Sequence, residues 1–273
     1  MMYNIFLKYR SGTLNLPSFK LSRKVKIIIG AAVLVVAVAA AAIGIWYSYR
    51  AMFPDNPRFT LRHVVVRSIG WWNDKTAHVQ QMTELIPGKT GLFQINLADI
   101  RARLLREPSI DNATVSRVLP DTIEISISER IPRALLGNQK SALVLDSNAV
   151  VMHRDKCLKI DANLPVIIGY PKDSVPSYGK KFDRLVPAVG LIMLTITEFP
   201  DIRIAAINAA SRDYLFFTMY YKNELSKLYR VYIPVKNMNA SLVYLVAAMP
   251  NVLLPTETRT IIDLRYEGRV TLK

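Results

Sequence analysis

The chain has 273 residues, enough for one large or two modest domains. Its 51% apolar content excludes a disordered chain, and its net charge of +15 suits anionic lipid, anionic cell-wall polymer or nucleic acid without choosing among them. The single cysteine, Cys157, excludes an internal disulfide. His63, His78 and His153 stand too far apart to form a ligand motif with it.

Residues 1–26 carry Lys8, Arg10, Lys20, Arg23, Lys24 and Lys26 and no acid. Residues 27–49 then contain no charged residue and end in Trp46, Tyr47 and Tyr49. About 20 apolar residues cross the hydrocarbon core of a bilayer, and amphipathic rings favour its interface. The run is long for a signal peptide, and it ends in bulky aromatics and Arg50 rather than small residues. It reads as a retained transmembrane helix. The basic flank places the N-terminus inside and the bulk of the chain outside the cytoplasm. Beyond the tail, 30 basic residues still face 21 acidic ones, a balance of +9.

A Pro/Asp/Asn linker, residues 50–57, leads into the first alternating segment, Phe59–Val66. Asp74 is positioned to cap a helix running through Ile86, stopped by Pro87-Gly88. Asn96 is positioned to cap a second, from Leu97 to about Arg106, with Leu97, Ile100, Leu104 and Leu105 on one face. A strand at Ala113, Val115 and Arg117 follows, then a turn at Leu119-Pro120-Asp121. Ile123, Ile125 and Ile127 alternate with Glu124, Ser126 and Ser128 in a strand with one dry face. The order in residues 58–131 is therefore strand, helix, helix, strand, strand.

Residues 132–273 read as a strand-rich domain. Its strand candidates are Ala142–Leu145, Val150–His153, Val166–Tyr170, Arg203–Ile207, Tyr214–Tyr221, Leu228–Ile233, Thr258–Tyr266 and Arg269–Leu272; its helices are Arg184–Glu198 and Asn239–Met249. The fold class is α+β.

Catalytic motifs are fragmentary. Gly88-Lys89-Thr90 lacks the glycine a phosphate loop needs five residues earlier, where Thr83 stands. Ser177-Tyr-Gly-Lys180 and Lys89-Thr-Gly91 occur in the wrong order for a penicillin-binding enzyme, with no Ser-x-Asn and with Gly179 where a helix is required. The acids show no suggestive pairing. No catalytic, cofactor or metal site is expected.

The final strands carry more information. Residues 260–266 alternate, Glu267-Gly268 offers a tight turn or bulge, and residues 269–273 run back. A terminal strand can lie at a sheet edge, where unpaired N–H and C=O groups accept a partner strand. It can equally lie inside the sheet, or be guarded by Arg265, Arg269 and Lys273. Both arrangements remain open at this point.

Taken together, these motifs resemble a known family. Gly91-Leu-Phe-Gln-Ile-Asn-Leu97, Leu104-Leu105, the stretch from Pro108 to Ile125, and Glu129-Arg-Ile-Pro-Arg-Ala134 resemble the POTRA domain of the FtsQ/DivIB bacterial cell-division proteins. Leu143-Val-Leu-Asp146, Leu164-Pro-Val-Ile-Ile-Gly169 and Ile262-Asp-Leu-Arg-Tyr266 resemble that family's later motifs. Departures are Ser109 in place of an aromatic, Ser147-Asn-Ala-Val150 without a glycine, and the pair Trp71-Trp72.

The resemblance implies a single-pass cytoplasmic-membrane protein enriched at the septum: basic tail 1–26, transmembrane helix 27–49, linker 50–57, POTRA domain 58–131 and β domain 132–273. It implies a non-enzymatic divisome scaffold without cofactor, metal or nucleic acid. Its partners would be an FtsB/FtsL-like protein, other divisome membrane proteins and the bilayer. The partner-binding edge would comprise Arg265, Tyr266, Glu267, Gly268, Arg269, Val270, Thr271 and Leu272. The alternatives are a POTRA-bearing envelope transport component and a membrane-anchored cell-wall enzyme.

Overall fold

The structure, a computed structural model, describes residues 22–52, 56–158, 164–222, 224–253, 260–266 and 268–273. Helix α1, Arg23–Met52, is four residues longer at its start and three at its end than the apolar run of 27–49. A helix propagates into polar flanks because its carbonyls near Lys26 and Arg50 still gain hydrogen bonds. Its apolar side chains are exposed all round, as in a helix solvated by lipid, and its length and composition suffice to cross a bilayer. The Arg50 guanidinium lies 5.5 Å from the centre of the Trp46 ring, at the helix end where both belong at an interface.

Residues 56–273 form a second unit with two sheets. In the first, β1 (His63–Arg67), α2 (Thr76–Thr83), α3 (Leu97–Leu104), β2 (Ile110–Val118) and β3 (Thr122–Glu129) follow the anticipated order. Strand β3 is central, parallel to β1 and antiparallel to β2. Ile123, Ile125 and Ile127 face a core shared with Val64, Val79, Ile100 and Leu104.

Four local expectations change. The segment from Phe59 does not begin as a strand: Pro57–Phe59 is a 3₁₀ turn, and the strand starts at His63. Asp74 does not cap α2. It sits at φ 60°, outside the extended region a cap requires, and its carboxylate takes a bond from Asn73 Nδ2 instead. Helix α2 stops at Thr83, where Glu84 adopts the left-handed conformation, and does not reach Ile86. Asn96 does cap α3, its side chain accepting from Ala98 N at 3.0 Å, but that helix ends at Leu104 rather than Arg106.

The second sheet contains β4 (Ala134–Leu136), β5 (Leu143–Leu145), β6 (Val151–His153), β7 (Val166–Ile168), β8 (Ile202–Asn208), β9 (Tyr214–Tyr221), β10 (Glu224–Pro234), β11 (Ile261–Asp263) and β12 (Thr271–Leu272). Its order is β12-β11-β10-β9-β8-β7-β4-β5-β6. Helices α4 (Val186–Thr197) and α5 (Met238–Val252) bury apolar residues against one face, including Leu191, Ile192, Leu242 and Leu245. Helix α4 begins two residues later than Arg184 because Asp183–Leu185 is a 3₁₀ turn; α5 extends three residues past Met249. Strands β7, β11 and β12 are shorter than the stretches 166–170, 258–266 and 269–272; residues 258–259 lie outside the described residues.

The two sheets are joined through charged contacts. Arg130 pairs with Asp111 and with the occluded Asp146, and Lys156 pairs with Glu107 at 3.1 Å. Asp146 also accepts from the N–H groups of Asn148 and Val150, closing the β5–β6 turn. Glu129, at the end of β3, accepts from Ser68 Oγ and from the backbone N–H groups of Trp71 and Trp72. Trp72 is fully buried, and its indole N–H donates to Ser109 Oγ at 3.0 Å. Ser109 thus supplies the acceptor that a buried indole needs.

The candidate docking edge at strands β11 and β12

Strand β10 alternates Tyr229, Val231 and Ile233 into the core with Arg230 and Tyr232 on the opposite face. Strand β11 pairs parallel to it, matching Val231 to Ile262 and Tyr232 to Asp263. Strand β12 returns antiparallel, matching Ile262 to Leu272 and Asp263 to Thr271. Among the described residues nothing pairs with the outer side of β12, so it is a sheet edge. Ile261 and Lys273 exchange both backbone bonds, at 3.3 and 2.9 Å. Alternation in an antiparallel ladder therefore turns the N–H and C=O of Leu272 outward.

The reversal between the strands places the sequence-predicted residues as follows. Arg265 turns back on its own strand. Tyr266 is 57% exposed, and Glu267 lies outside the described residues. Gly268 is exposed at φ 66°, a left-handed conformation that suits glycine, and Arg269 N closes the turn on Tyr266 O at 3.1 Å. Val270 and Leu272 pack against the main core, while Thr271 is exposed on the opposite face. Beside this segment runs a cleft of about 290 Å³ against the start of α5, lined by Lys236, Ala240, Tyr244, Leu264, Tyr266 and Arg269. Tyr244 and Tyr266 expose apolar ring surface there, and Arg269 makes no ion pair among the described residues.

One residue of this site was not anticipated. Asp263 alternates as though on a wet face, yet its side chain is fully occluded. Its Oδ1 accepts from Arg265 Nε at 2.9 Å and its Oδ2 from Arg265 Nη2 at 2.8 Å and Lys273 Nζ at 3.0 Å. The guanidinium in turn lies 4.7 Å from the centre of the Tyr232 ring and 5.0 Å from that of Tyr214. Hydrogen bonds from Arg265, and then Lys273, hold the Asp263 carboxyl well below the usual carboxylate range, against the opposing effect of burial. The same contact raises the Arg265 pKa. The sequence signal was the spacing Asp-x-Arg, which puts both side chains on one face of an extended segment.

The motif fragments have structural roles. Gly88 N donates to Leu61 O, and Thr90 O accepts from Leu61 N, so Gly88-Lys-Thr90 is a turn paired to the chain before β1. Ser177–Lys180 is a turn in which Lys180 N donates to Ser177 O, with Gly179 at φ 78°. Cys157 is buried, donates to His153 O, and has its pKa raised to about 12 by burial and then by the nearby carboxylates, Glu129 first. No group of three or more potential metal ligands occurs among the described residues.

Residues 60–130 match the family described as "POTRA domain, FtsQ-type". The chain is 26% identical over 156 residues to the cell division protein FtsQ of Koribacter versatilis (strain Ellin345), covering 56% of this chain and 43% of that one. It is 31% identical over 117 residues to the FtsQ of Novosphingobium aromaticivorans, covering 42% and 35%. It is also 27% identical over 74 residues to the cell division protein DivIB of Clostridium tetani, covering 27% and 28%. The matches therefore span less than half the length of each of these relatives. An apolar helix of membrane-spanning length, one β-α-α-β-β module and a strand-rich second sheet accompany these matches: residues 60–130 are a POTRA domain of FtsQ type, and the chain is similar to the FtsQ and DivIB cell-division proteins.

Proposed function

We propose that this protein is a non-enzymatic scaffold of bacterial cell division, held in the cytoplasmic membrane by α1 with its N-terminus inside and enriched at the division septum. Its β12 edge binds an FtsB/FtsL-like partner by strand addition. The observation that carries this reading is the outer side of β12, unpaired among the described residues and flanked by the exposed Tyr266 and the cleft along α5. Backbone bonds supply affinity in strand addition, and an aromatic anchor beside them supplies specificity.

Two substitutions separate backbone from side chain. Leu272→Pro deletes an outward N–H while leaving the bonds of Thr271 and Lys273 to β11 available. Tyr266→Ala removes the ring. Each is expected to lower capture of the FtsB-like partner by purified full-length protein at least tenfold, roughly 1.4 kcal/mol or more, with circular dichroism unchanged. Unchanged capture by both variants rejects the edge. Truncation after Leu264 is a poorer test, because it removes β12 together with both cations of Asp263 and so perturbs the fold as well as the edge.

A further inference from the structure

We infer that Asp263 is a positioning residue for the β12 edge: a single occluded carboxylate closes the 265–273 excursion at both ends, through Arg265 where the chain leaves β11 and through Lys273 where it returns. The inference rests on the edge reading above but concerns a residue that no partner can touch, since Asp263 is completely covered by its own chain.

Three observations carry it. First, β12 has two residues, and the pairing with β11 matches two positions, Ile262 with Leu272 and Asp263 with Thr271. So short a ladder holds its register weakly, and a slip of one residue would exchange Thr271 with Leu272 between the apolar and open faces. Second, the side-chain bonds supply what the backbone lacks. Asp263 Oδ2 receives Arg265 Nη2 at 2.8 Å and Lys273 Nζ at 3.0 Å; only the native pairing brings Lys273 beside Asp263 and Val270 and Leu272 onto the core. Third, the anchor is itself fixed. The Arg265 guanidinium stacks over Tyr214 and Tyr232, whose strands β9 and β10 belong to the body of the sheet, and Leu264 N donates to Tyr232 O at 2.9 Å. The position of β12 is thus referred back to two long strands rather than to its own neighbour alone. Arg265 acts here within the chain, which leaves Tyr266 and Arg269 as the side chains presented outward.

The test uses full-length protein in detergent micelles and reads register directly. Lys273→Met keeps the aliphatic stem and removes the charge; Lys273→Arg keeps the charge. In the Lys273→Met protein, hydrogen exchange of the amides of residues 271 and 273 is expected to rise about fivefold, the scale of a partly exposed ion pair, and the Lys273→Arg protein is expected to restore protection. A second readout pairs engineered cysteines at the facing positions 262 and 272 in a Cys157→Ser background: oxidation is expected to be rapid with Lys273 and several-fold slower with Met. Capture of the FtsB-like partner is expected to fall in parallel, with the thermal midpoint of the domain little changed. If Lys273→Met alters neither exchange nor cysteine pairing, the positioning role is overturned whatever happens to binding. If exchange and pairing respond but Leu272→Pro leaves capture intact, the positioning role stands and strand addition at this edge fails.

Discussion

Asp263 carries a negative charge where the surrounding chain excludes water, and it is tolerated because two cations reach the same carboxylate. Its depressed pKa sets a sign for acid stability. In the unfolded chain an aspartate titrates near about 3.9. The folded carboxyl binds its proton only at lower pH, so its stabilisation is complete above that range and is lost as pH falls through the folded value. Arg265 and Lys273 are partly exposed, which limits the contribution to about 1–2 kcal/mol. Asp263→Asn should therefore unfold at lower urea than wild type by a constant margin from pH 7 to about 5, and the margin should narrow below about pH 4; a margin independent of pH down to about 3 would refute the assignment. Cys157 lies at the opposite extreme. Its thiol stays protonated at neutral pH and serves as an apolar filler beside Leu135, Val144 and Met152.

At the scale of elements, the loop from Ser68 to Trp72 is a packed structure suspended from one strand end. Glu129 receives three donors from it, and Trp72 fills the core below. Glu129→Ala should leave these donors without their acceptor and lower stability by about 3 kcal/mol, seen as an earlier urea midpoint with red-shifted tryptophan emission. No change in either would show that water replaces the carboxylate. Much of the first sheet was legible in the sequence because its signals are local: Ile123, Ile125 and Ile127 mark a half-buried strand, and Asn96 marks a helix start. Asp74 misled because capping depends on backbone conformation as well as side-chain chemistry. Strand β4 escaped notice because Ala134, Leu135 and Leu136 are all buried, which erases alternation. The order of the second sheet was not legible. Its parallel pairings of β4 with β7, β7 with β8 and β10 with β11 join segments far apart in sequence. Of the candidate edge, the strand and turn were visible, but Asp263 was not. Alternation assigns it to the wet side and cannot show that Arg265 and Lys273 fold over it.

For the whole molecule, the basic tail and the apolar α1 make a prediction about topology. In intact cells opened only at their outer envelope, added protease should degrade the region of the two sheets, and in inverted inner-membrane vesicles that region should survive. Protection in the opened cells with degradation in the vesicles would reverse the orientation. The nine-stranded sheet also treats its two ends differently. At β6, residues 179–182 bond back to Ala149 and Val151, so that border is plugged by the chain itself, whereas β12 is bare among the described residues. A ribbon of identical copies needs two free borders per copy to grow, and among the described residues this sheet offers one. Self-pairing through it therefore ends at a two-copy assembly instead of a fibre, and that assembly would occupy the same border as an incoming strand.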